Sequence, residues 1–297
     1  MKIYNKELRS HAFETICSLV REKATFCSLD DDYIERELRK ILEQNTQLIA
    51  KLNESNKQAV KTVVKDIRNR FHDTYELFNT QKIKKRQEIL TRIDKGEPFS
   101  EEQKKRWDML LSFHRSTQER LAHYEAFYEA LDTHCDSPQS ILDISCGHNP
   151  CSLYYLQKRR ALSSSFSYYA TEFCYSDVAF IDSVLETYGI RHDTKRIDLA
   201  NEPDKLNTFE DVDCALLLKV LDVTETLKRN STYEILKEIP SKTIVASFST
   251  KNIRNRPLML QDRPWMKRMC ENLGYTFATV ALPNELLYII KKPTTSK

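Results

Sequence analysis

The stretch Ser140-Ile-Leu-Asp-Ile-Ser-Cys-Gly-His-Asn-Pro150 decides the fold. Ser140 to Ile144 is a short, nearly continuous apolar run that reads as a buried strand. The strand carries Asp143 near its end, the chain turns through small residues around Gly147, and a helix opens after Pro150. Strand, tight turn and helix start together make a nucleotide-type site. Small residues let the backbone approach a ligand, and open α/β sheets bind ligands beyond the carboxyl ends of their strands. A single glycine is not a dinucleotide fingerprint, which needs several. An ordinary βα turn has the same outline, so the flanking sequence must decide.

Downstream, short apolar runs alternate with helical patterns. Ser165 to Thr171 is a second strand, followed by a helix from about Ser176 to Tyr188. A third strand lies near Thr194 to Asp198, and a fourth over Asp213 to Lys219 is followed by helix up to about Glu238. A fifth strand spans Thr243 to Phe248, and a helix about Arg263 to Leu273. Two adjacent strands, Tyr275 to Ala281 and Glu285 to Lys291, close the chain around a turn at Pro283-Asn284. Such alternation predicts a parallel sheet with helices on both faces, and the closing pair adds an antiparallel strand. Asp143, Glu172 and Asp198 then stand at the tips of three successive strands. A carboxylate after the second strand suits ribose hydroxyls, and one after the third suits an adenine amino group.

The Asp-x-small-x-Gly order of Asp143, Ser145 and Gly147 resembles the S-adenosylmethionine (SAM) motif. The fold class expected is therefore α/β, a Rossmann-like class I SAM-dependent methyltransferase sheet over residues 111–297. Residues 1–110 read as an all-helical N-terminal domain, with no glycine before Gly96. Within it Ser28-Leu-Asp-Asp31 and Ser100-Glu-Glu-Gln103 are helix-start signals. Ile34, Leu38, Ile41, Leu42, Leu48, Ile49 and Leu52 form one stripe.

Charge is distributed rather than extreme. The 297 residues carry a net +3, too mild to imply nucleic acid by itself. Lys57, Lys61, Lys65 and Arg68 recur on one helix face, and Lys82, Lys84, Lys85 and Arg86 cluster soon after. Such side chains can track a phosphate backbone or simply form a solvated face. The N-terminus has no signal-peptide pattern and no apolar run reaches membrane-spanning length, so a cytoplasmic protein is expected. The 8 cysteines then read as reduced thiols, and neither they nor the 7 scattered histidines have metal-ligand spacing. Ser116-x-x-Glu119 reads as a capping box, and Arg120 as either a solvated side chain or a fork for a carboxylate.

Five segments in order, HRSTQERLAHYEAFY from His114, ILDISCGHNPCSLY from Ile141, LLLKVLDVTE from Leu216, SFSTKNIRNR from Ser247 and NELLYIIKK from Asn284, resemble one family. It is the aminoglycoside-resistance 16S rRNA methyltransferases, which methylate guanine N7 in the decoding site. The resemblance covers about residues 105 to 292. It implies SAM as cofactor and the small ribosomal subunit as partner, with a monomer as the working assumption. It implies that Arg120 holds the SAM carboxylate, that Asp143, Ser145 and Gly147 form the loop, and that Glu172 takes the ribose. Asp198 matches the acidic position after the third strand, Leu218 and Lys219 the strand end beside the cofactor. Lys251, Arg254 and Arg256 match a basic loop facing RNA. Departures are Ser145 where many members have Gly, Glu172 for Asp, Asp222 and Ser249 for Pro, and Arg254-Asn255 for a glycine pair. Guanine N7 has a lone pair in the neutral base, so no catalytic acid or base is expected, only positioning. The alternatives are a methyltransferase of this fold with another RNA or small-molecule target, or a non-catalytic scaffold.

Overall fold

The computed structural model describes residues 1–23, 26, 29–71, 83–93, 100–251 and 262–293, with 83 and 84 described by backbone alone. Two compact units divide the chain, Met1–Gln81 and Lys82–Lys297. The division falls well before the residue 110 expected from the sequence.

The first unit is built on helices α1 (Ser10–Arg21), α2 (Asp31–Gln44), α3 (Gln47–Asn53) and α4 (Lys57–Phe71). It is not wholly helical: β1 (Lys2–Ile3) and β2 (Lys6–Glu7) pair antiparallel at the start. Asp30 is the N-cap of α2, accepting from the Tyr33 N–H at 2.8 Å. The long apolar stripe breaks at Asn45 into α2 and α3, yet Ile34, Leu38, Ile41, Leu42, Ile49 and Leu52 are all buried. The stripe therefore specifies one core across two helices.

The second unit opens with α5 (Ile83–Leu90) and α6 (Glu101–Leu111), the latter capped by Ser100. Both helices belong to this unit because Ile89, Leu90, Trp107, Leu110 and Leu111 join the core on one face of the sheet. After α7 (Arg115–Arg120) and α8 (Tyr124–His134), the sheet strands follow: β3 (Ser140–Asp143), β4 (Ser167–Glu172), β5 (Arg191–Arg196), β6 (Cys214–Leu218), β7 (Thr243–Ser249), β8 (Thr276–Leu282) and β9 (Glu285–Lys291). Between them run α9 (Leu153–Arg159), α10 (Tyr175–Tyr188), α11 (Leu221–Leu227), α12 (Ser231–Glu238) and α13 (Pro264–Leu273).

The strand order is β5-β4-β3-β6-β7-β9-β8. Strands β3 to β7 are parallel, and β9 runs antiparallel between β7 and β8. The order reverses between β3 and β6, which places the ligand-binding crevice at the carboxyl ends of those two strands. The expected class of fold and its closing antiparallel pair are present. Where the sequence predicts one helix up to about Glu238, the chain makes two, α11 and α12, separated by Asn230 at φ +64°.

The division at residue 81 has a measurable consequence. A fragment begun at Lys82 melts cooperatively by circular dichroism. One begun at Leu111 lacks Ile89, Leu90, Trp107 and Leu110 from its core, loses a cooperative transition and aggregates.

Candidate active site

The turn after β3 is backbone held in a left-handed bend. Ser145 has φ +51° and Gly147 φ +56°, and across the crevice Lys219 has φ +61° at the end of β6. Glycine adopts this conformation freely, whereas an L side chain costs about 1–2 kcal/mol there. The bend explains why a glycine suits position 145 and shows that Ser145 accepts the same shape under strain.

The loop is tied to β4. Ser145 donates its N–H to Thr171 Oγ1 at 3.0 Å and Cys146 donates to the Thr171 carbonyl at 3.1 Å. Gly147 donates to Glu172 Oε1 at 2.5 Å, and Phe173 donates to Oε2 at 2.9 Å. Burial raises the Glu172 carboxyl above its ordinary value, and those two N–H donors oppose the rise. Each carboxylate oxygen still has a lone pair beyond its one backbone partner, enough for two hydroxyl donors.

Asp143 is fully buried at the end of β3. Its Oδ2 accepts from Tyr168 Oη at 2.6 Å and Asn149 Nδ2 at 2.8 Å. Its Oδ1 has no hydrogen-bond partner among the described residues. Burial raises the carboxyl to about 6, although Tyr168, Asn149 and Arg120 all pull it down. A buried carboxylate oxygen without a donor is costly, and here it marks a place for a cationic or N–H group.

Arg120, the last residue of α7, is buried rather than solvated. Its Nε and Nη2 donate to the two oxygens of Glu285 at 2.8 and 2.6 Å, and its Nη1 reaches Asn149 Oδ1 at 3.4 Å. This side-on pairing occupies Nε and one N–H of Nη2, while Nη1 faces Asn149 and Tyr124 also bonds the guanidinium. Burial works against the Glu285 charge, but Arg120, Lys219 and Ser247 hold its carboxyl below the ordinary value.

The other expected residues lie around the same strand ends. Leu218 is the last residue of β6 and is buried. Lys219 does not reach into the crevice unpaired: its Nζ donates to Glu119 at 2.8 Å. Asp198 is buried just beyond β5, its Oδ1 accepting from Asn201 at 3.0 Å. The capping box at Ser116 and Glu119 is not formed. The N-cap of α7 is His114, Ser116 Oγ contacts His114 Nδ1 at 2.9 Å, and Glu119 pairs with Arg115 and Lys219.

The basic residues separate by position. Lys57, Lys61 and Lys65 are exposed along α4. Arg68 is committed to the end of α1, donating to the Leu19 and Val20 carbonyls. Lys85 is exposed, but Arg86 is buried and ion-paired to Asp177, so it is withdrawn from any RNA-facing set. Lys251 is half-buried just beyond the end of β7. Lys82, the Lys84 side chain, Arg254 and Arg256 lie outside the described residues.

Two departures from the family pattern have local causes. Asp222 pairs with Arg263 at 3.1 Å, and Arg263 also donates to the Ser249 carbonyl at 3.2 Å. Ser249 Oγ closes the turn by donating to the Lys251 carbonyl at 2.7 Å. Phe248 and Tyr288 are core residues beneath this turn, at 5.5 Å between ring centroids.

His114, Tyr168 and Glu285 carry no signal in the sequence because each is remote in the chain from what it supports; Asn149 lies inside the motif, but its partners Arg120 and Tyr124 do not. His114 is the sharpest case. A Cβ at residue 147 would lie 2.6 Å from its ring. Gly147→Ala therefore combines backbone strain with overpacking and lowers stability by about 2–4 kcal/mol in denaturant titrations. Adding His114→Ala to the same chain recovers the steric share only.

The profile of the ribosomal RNA methyltransferases (FmrO) matches residues 37–289. A relative from Micromonospora echinospora, a 16S rRNA (guanine(1405)-N(7))-methyltransferase, is 32% identical over 61% of this chain and 64% of its own length. The match thus spans less than two thirds of that relative. A Micromonospora rosea enzyme of the same name is 28% identical over 78% of this chain and 84% of its own. The solved 16S rRNA methyltransferase RmtF, in complex with S-adenosyl-L-homocysteine, superposes with a TM-score of 0.76 at 19% identity, over 96% of this chain and 100% of that one. That last likeness is one of fold. By the profile match across most of its length, the chain belongs to the FmrO family of ribosomal RNA methyltransferases.

Proposed function

We propose that this chain transfers a methyl group from SAM to guanine N7 in the decoding site of 16S rRNA, and so confers aminoglycoside resistance. The observation that carries the reading is the Oδ1 of buried Asp143, unpartnered among the described residues, at the sheet's switch point and within electrostatic reach of Arg120 and Glu172. The residues fit the cofactor. Arg120 would take its carboxylate, Asp143 its ammonium, Glu172 its ribose hydroxyls, and Asp198 its adenine amino group. Ser145 and Gly147 supply the close backbone, with Leu218 and Lys219 on the far wall.

Bound SAM supplies an electrophilic methyl on a sulfonium. The protein's own part is positioning. Guanine N7 attacks with a lone pair already present, so no side chain has to remove a proton first. Exposed Lys57, Lys61, Lys65 and Lys85 would contact phosphates, with Lys82, Lys84, Lys251, Arg254 and Arg256 joining them; Arg68 and Arg86 do not. Among the described residues no helix is long and apolar enough to cross a membrane. We read the enzyme as a cytoplasmic monomer, since a broad RNA-facing surface competes with self-association.

Labelled SAM with purified small subunits, followed by reduction and strand scission at 7-methylguanine, tests the target. A single cleavage in the decoding region is expected; methylation elsewhere favours the alternative target. Isothermal titration tests the cofactor site separately. Glu172→Ala weakens SAM by about tenfold or more, and Lys57, Lys61 and Lys65 replaced together by Gln leave SAM affinity unchanged while methylation of subunits falls.

The affinity for SAM also depends on pH. A carboxyl raised to about 6 must be charged to accept from an ammonium. Below that pH, binding must first drive off a proton, so affinity falls by up to about tenfold per unit as the pH drops from 6 toward 5. Glu172, raised in the same direction, adds to the slope. Asp143→Asn binds more weakly at pH 7.5 and has a shallower profile.

A further inference from the structure

Arg86 is buried in the second unit and held by groups from two directions. From α5 its Nη1 donates to Asp177 Oδ1 at 2.5 Å and lies 3.3 Å from His148 Nε2, while Nη2 donates to the Ser176 carbonyl at 2.8 Å. Its guanidinium lies 4.4 Å from the Phe180 ring centroid. Asp177 and Phe180 lie on α10, which leaves the end of β4, and His148 is the residue after Gly147 in the cofactor loop.

The roles of the atoms follow from their partners. His148 Nδ1 is 2.8 Å from the Leu110 carbonyl, which can only accept, so Nδ1 carries the proton. The ring is neutral, since burial, with His114 and Arg86 nearby, lowers it to about 3. Nε2 is then a bare acceptor facing the Arg86 N–H. Burial pushes the Asp177 carboxyl up to about 7, and its Oδ1 accepts from the guanidinium.

We propose that Arg86 is a positioning residue for the cofactor loop: by bonding His148 and Asp177 at once, it fixes the loop against the start of α10 and sets Gly147 on Glu172. Its described contacts are with His148, Asp177, Ser176 and Phe180, and it hydrogen-bonds none of Arg120, Asp143, Glu172 or Asp198. A second cation, Arg120, meets the loop at Asn149, but among the described residues Arg86 is the cation that ties it to α10; the support under Gly147, His114, is a neutral ring. The inference rests on the SAM reading above.

Arg86→Lys and His148→Asn test it on the full chain. Lysine keeps the charge but cannot serve two partners as a fork. Asparagine keeps a donor for the Leu110 carbonyl and removes the acceptor facing Arg86. Both variants are expected to melt cooperatively. SAM dissociation constants and the KM for SAM rise about tenfold, while kcat on small subunits at saturating SAM stays within about twofold. The double variant is expected to be no worse than the weaker single one, because both cut one link. Amide exchange in the peptide around residues 144–149 quickens, and in β7 it does not. Parent-like SAM affinity in both variants overturns the proposal, as does additivity in the double variant. Loss of the folded state in both does so too, for it assigns Arg86 to the fold alone. Failure of the parent chain to bind SAM instead overturns the cofactor reading, independently of Arg86.

Discussion

Arg120 and Glu285 are both almost wholly excluded from water, and neither charge is tolerable there alone. Removing one partner of such a pair costs about 3–5 kcal/mol. Their bond joins α7 to the start of the antiparallel strand β9, across the carboxyl ends of the parallel strands. Much of the crevice is hung on it. From Arg120 the contacts pass through Asn149 to Asp143 and Tyr168. From Glu285 they pass through Ser247 to the Lys219 backbone. The last strand of the sheet, remote from the cofactor loop in sequence, is thereby part of the same rigid polar network.

The network also explains how strained backbone persists. Ser145 and Lys219 both adopt positive φ without being glycine. Each has its N–H satisfied, by Thr171 on one side and Ser247 on the other. Strain of this kind survives where surrounding bonds over-determine the conformation, and it clusters at functional sites.

What could be read from the sequence was whatever has a short period or a local spacing. The strands, the apolar stripe of α2 and α3, and the acidic tips at Asp143, Glu172 and Asp198 are of that kind. Cross-chain partnerships left no such trace. Arg86 sits in a run of lysines and reads as one more surface cation, yet Asp177, His148 and Phe180 draw it inside. Arg68 likewise keeps helical register with Lys57, Lys61 and Lys65, and its guanidinium turns to carbonyls of α1 instead. The boundary between units was misplaced for a related reason. Helical periodicity shows that α5 and α6 are helices, not which core their apolar faces join. The capping box at Ser116 failed because His114, needed under Gly147, took the N-cap position.

The cofactor loop and the helical turn that follows it also contain two thiols, Cys146 and Cys151, both buried and both raised by that burial. A thiol in this state is protonated and unreactive. Alkylating reagents can reach either sulfur only when the loop departs from its closed bend, so the rate of modification measures how often that happens. The loop thus carries its own reporter of opening, and any ligand that fastens it should be visible as protection of native cysteines, with no label introduced.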